Sequence, residues 1–148
     1  MENMETSTHK TFIYDKLGVF FKHTDYHGFV HPYNYLEWTS YVREAFFQET
    51  VSTFKQILDK PVKMMTAKIT FELLVDSFFG DLLEGRLTIS GIKKVSFDVI
   101  VRFFNKMSQQ IVCTTRHTLV FVNSDTQKFA DIPDDLKKAI VQYRENES

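Results

Sequence analysis

The run Pro32-Tyr33-Asn34-Tyr35-Leu36-Glu37-Trp38-Thr39-Ser40-Tyr41-Val42-Arg43-Glu44-Ala45-Phe46-Phe47 decides the fold. Proline suits a first helical position, because its ring fixes φ near the helical value and its missing N–H has no intrahelical partner there anyway. Behind it Leu36, Val42, Ala45 and Phe46, flanked by Tyr35 and Trp38, recur at three- and four-residue spacing, which predicts one long helix over 33–55. Its apolar residues spread around much of the circumference, so the helix is expected to be enveloped rather than laid on a surface. On both sides the period changes to two. Upstream, residues 12–23 are rich in aromatic and β-branched side chains, and Val19, Phe21 and His23 alternate with Phe20 and Lys22, predicting a first strand. Beyond Pro61, Ile69, Phe71, Leu73 and Val75 alternate with Lys68, Thr70, Glu72 and Leu74, and Leu83, Leu87 and Ile89 oppose Glu84, Arg86 and Thr88. Phe97, Val99, Val101 and Phe103 then mark a fourth strand, and residues 111–122 a long fifth. The links 77–80, 91–95 and 105–109 are short, which favours antiparallel neighbours. After a loop over 123–131, Ile132-Pro133-Asp134-Asp135 opens a closing helix to about 144, with Leu136, Ala139, Ile140 and Tyr143 on one face.

This order predicts an α+β domain, a curved antiparallel five-stranded sheet wrapped around the long central helix, with a C-terminal helix added. With 148 residues, 43% of them apolar, the chain is expected to form one domain over 11–148 behind a polar, flexible leader over 1–10. A net charge of −1 leaves no basic excess for a nucleic-acid backbone. One cysteine, Cys113, excludes an internal disulfide and any multi-cysteine metal site. Acids at 72, 76 and 81 break the most apolar stretch, so no membrane span is expected, and a cytoplasmic location is the simplest. The sheet's edge strands are expected to find a second copy, giving a homodimer or homotetramer.

Nucleotide-binding glycine loops, a G-x-S-x-G elbow and an H-E-x-x-H pair are absent from the sequence. Chemistry concentrates instead where the first strand hands over to the helix. His23-Thr24-Asp25-Tyr26-His27-Gly28-Phe29-Val30-His31-Pro32 holds three of the five histidines, an acid, a glycine and a helix start. Free N–H groups and the dipole at a helix N-terminus suit an oxyanion. Asp25 there is either a turn former or a carboxylate that attacks a carbonyl or takes a proton from water. Gly28 is expected to supply a positive-φ turn. His23, His27 and His31 are spaced by four, but strand and glycine interrupt any common helical face, so no metal site is expected.

Thr24-Asp25 with Gly28, then Asn34-Tyr35-Leu36 and Arg43-Glu44, resembles the 4-hydroxybenzoyl-CoA thioesterase branch of the hotdog superfamily. Gly80-Asp81, Val95-Ser96-Phe97, Val120-Phe121-Val122, and Ile132-Pro133 with Asp135-Leu136 extend the similarity in order and spacing over about 17–140. The resemblance implies a hotdog fold and hydrolysis of an acyl-CoA, or related acyl thioester, to a free acid and a thiol. It implies Asp25 as the catalytic carboxylate, and no cofactor beyond the CoA moiety of the substrate. In the best-known member of the family the residue seven positions after the aspartate donates its backbone N–H to the thioester oxygen, and here that residue is Pro32, which has none. The N–H of His31, Tyr33 or Asn34 is the expected substitute, and the His31 side chain is either catalytic or a capping group.

Lys93 and Lys94, with Ser96 behind them, stand where the family meets the CoA nucleotide; as plain sequence they are also an ordinary surface turn. Tyr35, Trp38 and Phe46 line either an acyl pocket or the core. Arg43 is set to bind a carboxylate or thioester oxygen, or to pair with Glu37 or Glu44. Tyr35-Leu36-x-Trp38 and Arg43-Glu44-x-Phe46 also resemble hotdog thioesterases of enediyne polyketide synthesis, which keeps acyl carrier protein among the expected partners beside a small-molecule acyl thioester. Two rival readings are a non-catalytic acyl-thioester-binding hotdog protein and a hotdog dehydratase.

Overall fold

The computed structural model of the protein describes residues 9–145. Its sheet runs in the order β1 (Phe12–Gly18), β3 (Leu82–Ser90), β4 (Ser96–Asn105), β5 (Ile111–Asn123), β2 (Val62–Leu73), and a two-residue β6 (Lys128–Phe129) pairs with the end of β5. Every pairing is antiparallel. The sheet curls into a half-barrel around α1 (Tyr33–Thr50), the arrangement of the hotdog fold, and α2 (Phe54–Leu58) and α3 (Asp134–Val141) complete the described elements. Among the described residues no helix is long and apolar enough to cross a membrane.

The enveloped helix follows from its sequence. Tyr35, Trp38, Thr39, Val42, Phe46 and Phe47 are buried. They face the inward residues of the central strands, among them Leu83, Leu87, Phe97, Val99, Val101 and Phe103. Close approach needs Gly85 on β3: a Cβ there would stand 2.9 Å from Val42 Cγ2. Around the curve the cover runs out, and β2 keeps most of its side chains exposed.

One expected neighbour and four boundaries depart from the sequence reading: the short link 77–80 joins β2 to β3, yet β2 pairs with β5 at the far edge of the curled sheet. The first strand ends at Gly18 rather than 23, and Phe21–His23 forms a 3-10 turn in which the Phe20 N–H donates to His23 Nδ1 at 2.9 Å. The long helix stops at Thr50, because Val51 turns extended and its N–H closes on the Phe47 carbonyl; α2 then lets Phe54 stack on Phe47. Strand β2 begins at Val62, six residues early, and the closing helix is shorter, Asp134–Val141. Of the expected leader, residues 1–8 lie outside the described residues, whereas the Lys10 N–H donates to the Gln142 carbonyl at 3.0 Å.

Candidate functional site

Between the 3-10 turn and α1 the chain makes a tight hairpin. Thr24 bridges Val30, the Asp25 N–H donates to the Phe29 carbonyl at 2.7 Å, and the Gly28 N–H donates to the Asp25 carbonyl at 3.0 Å. Gly28 takes φ +86°, a conformation that costs an L side chain about 1–2 kcal/mol, and open space surrounds its Cα, so backbone geometry alone demands the glycine. Asp25 Oδ1 accepts the N–H groups of His27 at 2.8 Å and Phe29 at 3.0 Å. Oδ2 accepts nothing from the described residues. Partial desolvation pushes the Asp25 carboxyl up, but the two N–H donors and then the His27 and His31 side chains together hold it below its ordinary value. The acid is therefore ionised at neutral pH with one oxygen free.

The hairpin is tied to the start of α1. His23 carbonyl accepts the His31 N–H at 2.9 Å and Asn34 Nδ2 at 2.7 Å, and Asn34 Nδ2 also reaches the His31 carbonyl at 3.1 Å. These bonds leave the three expected donor N–H groups in different states. The His31 N–H is taken, and the Asn34 N–H donates to the His31 carbonyl at 3.0 Å. The Tyr33 N–H has no acceptor among the described residues and stands at the positive end of the helix. The His31 ring stacks on Tyr33, 5.2 Å between centroids.

A cleft of about 460 Å³ opens between β1, the 3-10 turn and α1, with His23 on the turn and Tyr33, Asn34, Glu37, Trp38 and Tyr41 on the helix. It reaches the helix start, but Asp25 is not part of its wall. Trp38 shows this cleft only an edge, being packed against His23 and Tyr35. Tyr35 is core: it is buried, and its hydroxyl donates to the buried Ser77 Oγ at 3.0 Å, with burial the main reason its phenol is pushed up to about 12. The three clustered histidines fall on a 3-10 turn, a hairpin tip and a helix start, so they share no face.

Lys93, Lys94 and Ser96 form a separate cluster. The lysines are exposed on the turn between β3 and β4, where the Lys93 N–H donates to the Ser96 carbonyl at 2.8 Å. Asp81 at the other end of β3 accepts the Val19 N–H, so the nine residues of β3, about 30 Å at strand rise, separate the lysines from the Asp25 end. One chain does not bring the two groups together.

Arg43 pairs with neither Glu37 nor Glu44. Its Nη1 donates to Thr66 Oγ1 at 3.1 Å and to His117 Nδ1 at 3.0 Å, across from α1 to β2 and β5. His117 escaped the sequence reading, although its position between Thr115 and Leu119 on an inward-facing register was a usable signal.

Residues 19–140 match the family model for the thioesterase-like superfamily. No curated protein sequence matches the chain. Among solved structures, a 1,4-dihydroxy-2-naphthoyl-CoA thioesterase from Synechocystis is similar with a TM-score of 0.79 at 18% identity, over 89% of this chain and 96% of that one. A Staphylococcus aureus protein in complex with CoA gives 0.83 at 15% identity, over 95% and 89%. The dynemicin thioesterase gives 0.85 at 15% identity, over 93% and 100%.

Proposed function

As the chain belongs to the thioesterase-like superfamily, we propose that it hydrolyses an acyl-CoA, or a related acyl thioester, using the Asp25 carboxylate and the N-terminus of α1. The observation that carries this reading is one hairpin that fixes an ionised carboxylate with one free oxygen through the His27 and Phe29 N–H groups and is tied, through the His23 carbonyl, to the helix start where the Tyr33 N–H is unpaired. The thioester oxygen would sit on the Tyr33 N–H, where charge developing in the transition state meets a fixed donor and the helix dipole. Asp25 either attacks the carbonyl carbon, with water later cleaving the anhydride, or takes a proton from the attacking water. In both routes the C–S bond breaks and the thiolate gains a proton. No cofactor is required beyond the CoA of the substrate, and a cytoplasmic setting suits that substrate.

The separation of Asp25 from Lys93, Lys94 and Ser96 supports a site shared by two copies. Pairing β2 with β2 of a second copy about a two-fold axis is antiparallel, and it lays one copy's Lys93 end beside the other's Asp25 end. The lysines would then meet the CoA phosphates. A thioester on an acyl carrier protein is the second substrate class to test.

Asp25→Asn separates chemistry from structure, because the amide oxygen still accepts from His27 and Phe29. Thiol release from a panel of acyl-CoAs and acyl carrier proteins should fall by about a hundredfold or more in this variant. Full turnover in Asp25→Asn refutes the assignment. Tight binding without turnover by both proteins indicates an acyl-binding protein, and an enoyl product indicates a dehydratase.

A further inference from the structure

Three side chains on β2, Ile69, Phe71 and Leu73, pair in register with His117, Thr115 and Cys113 and so share the inward face of the sheet. Yet they are 46%, 41% and 50% exposed, because α1 covers the central strands and leaves β2 bare. The strip starts near Ser77, whose carbonyl takes the Val30 N–H just before α1, and it runs alongside that helix. It ends at Arg43, ten residues past Tyr33, about 15 Å along the helix axis.

At the end of the strip stand Arg43, His117 and the Thr66 hydroxyl that accepts from Arg43. A guanidinium has no acceptor, so the 3.0 Å contact makes His117 Nδ1 the acceptor and leaves the ring proton on Nε2. His117 is 2% exposed, and both its Nε2 and Arg43 Nε are buried without a hydrogen-bond partner among the described residues. Arg43 makes no ion pair among the described residues; Glu44, the next residue on α1, attracts it only without a direct contact. Burial lowers the affinity of the Arg43 guanidinium and the His117 ring for their charge-giving protons, the imidazole down to about 4, so the ring is a neutral donor at its free nitrogen. A half-buried cation that makes no ion pair and has one buried N–H unpaired, beside a second unsatisfied buried donor, is a costly arrangement that an anionic acceptor would relieve.

We propose that Arg43 and His117 are the far end of the acyl site, where they receive a carboxylate carried at the end of the acyl chain while Ile69, Phe71 and Leu73 flank its apolar middle. The enzyme would thus favour mono-thioesters of dicarboxylic acids over plain fatty acyl thioesters. This rests on the thioesterase reading above and adds the substrate class to it.

The test compares mono-CoA esters of dicarboxylic acids with fatty acyl-CoAs of matched length. At the length that spans the strip, the carboxylated ester should have a kcat/KM about tenfold higher or more, carried mainly by KM. Arg43→Met and His117→Leu should bring that ratio close to one. Arg43→Lys, a milder change, should lower it partly, since it keeps the charge and loses the planar fork. Equal kcat/KM values at every length in the native protein, or a ratio untouched by the substitutions, overturns the proposal. Calorimetry with non-hydrolysable thioether analogues reads the same preference without turnover. Selective binding of the carboxylated analogue with no hydrolysis refutes the hydrolytic reading but sustains this one, and indiscriminate hydrolysis does the reverse. Variants that change from dimer to monomer with an unchanged ratio would assign the pair to a carboxylate of a second copy, again overturning the proposal.

Discussion

At the residue scale His117 sets how the fold responds to acid. Burial first, and the Arg43 charge second, depress its pKa from 6.5 to about 4. The unfolded chain therefore binds a proton between those values that the folded chain refuses. This histidine's share of stability is complete above pH 6.5 and is lost as pH falls from 6.5 towards 4, amounting to on the order of 3 kcal/mol. His117→Gln keeps an oxygen for Arg43 and does not titrate. Urea midpoints for the native protein should fall between pH 7 and pH 4.5 well beyond those for His117→Gln; parallel declines would show that another group is responsible. Glu145, held down mainly by Arg102 and Thr88 against the effect of burial, loses its share only below the ordinary carboxylate range, so it does not account for the upper part of the window. Asp25 could be picked out in the sequence because a turn-forming acid before a helix start is a local pattern. His117 offered only its inward register, and its role could not be read from that, because it depends on an arginine 74 positions away.

Element boundaries depend on packing that period alone does not carry. Both strands with displaced limits carry an irregular register inside them: β1 shifts between Tyr14 and Leu17, and β2 between Thr66 and Lys68. In β2 the inward residues are Met64 and Thr66 before the shift and Ile69, Phe71 and Leu73 after it. A bulge thus reverses the alternation and hides the first half of the strand from a period-two reading. The end of α1 was hidden for another reason, since Phe54 and Ile57 are buried and continue the apolar pattern past the break. The seat of α1 on the sheet is a sharper feature. Gly85→Ala would place a methyl 2.9 Å from Val42 Cγ2 and 3.4 Å from Val101 Cγ1, two fully buried neighbours. Chemical denaturation of this variant should show a loss of about 1–3 kcal/mol. Gly85→Ala with Val42→Ala should recover part of the steric loss, and a simple sum of the two single effects would show that the contact is not tight.

For the whole molecule, the two sheet edges differ in how well each would receive a second copy. β1 is seven residues long, bulged, and carries exposed Asp15 and Lys16, features that discourage pairing; β2 is twelve residues long with Met65, Ile69, Phe71 and Leu73 exposed. Light scattering should therefore give a dimer, or a dimer of dimers, and Ile69→Lys with Phe71→Lys should yield a folded monomer that releases little thiol. A double variant that remains a dimer with full activity would place the interface elsewhere. The sequence by itself determined the enveloped helix, the antiparallel sense of the strands, and the acid and turn glycine before the helix start, because periodicity, proline placement and turn chemistry act over a few residues. Tertiary structure alone decided that Tyr33 keeps its N–H free, that Arg43 is joined to His117 instead of a neighbouring acid, and that the lysine turn stands a strand's length from Asp25. Those outcomes depend on which distant groups the curl of the sheet brings within hydrogen-bonding reach, and no local pattern encodes that distance.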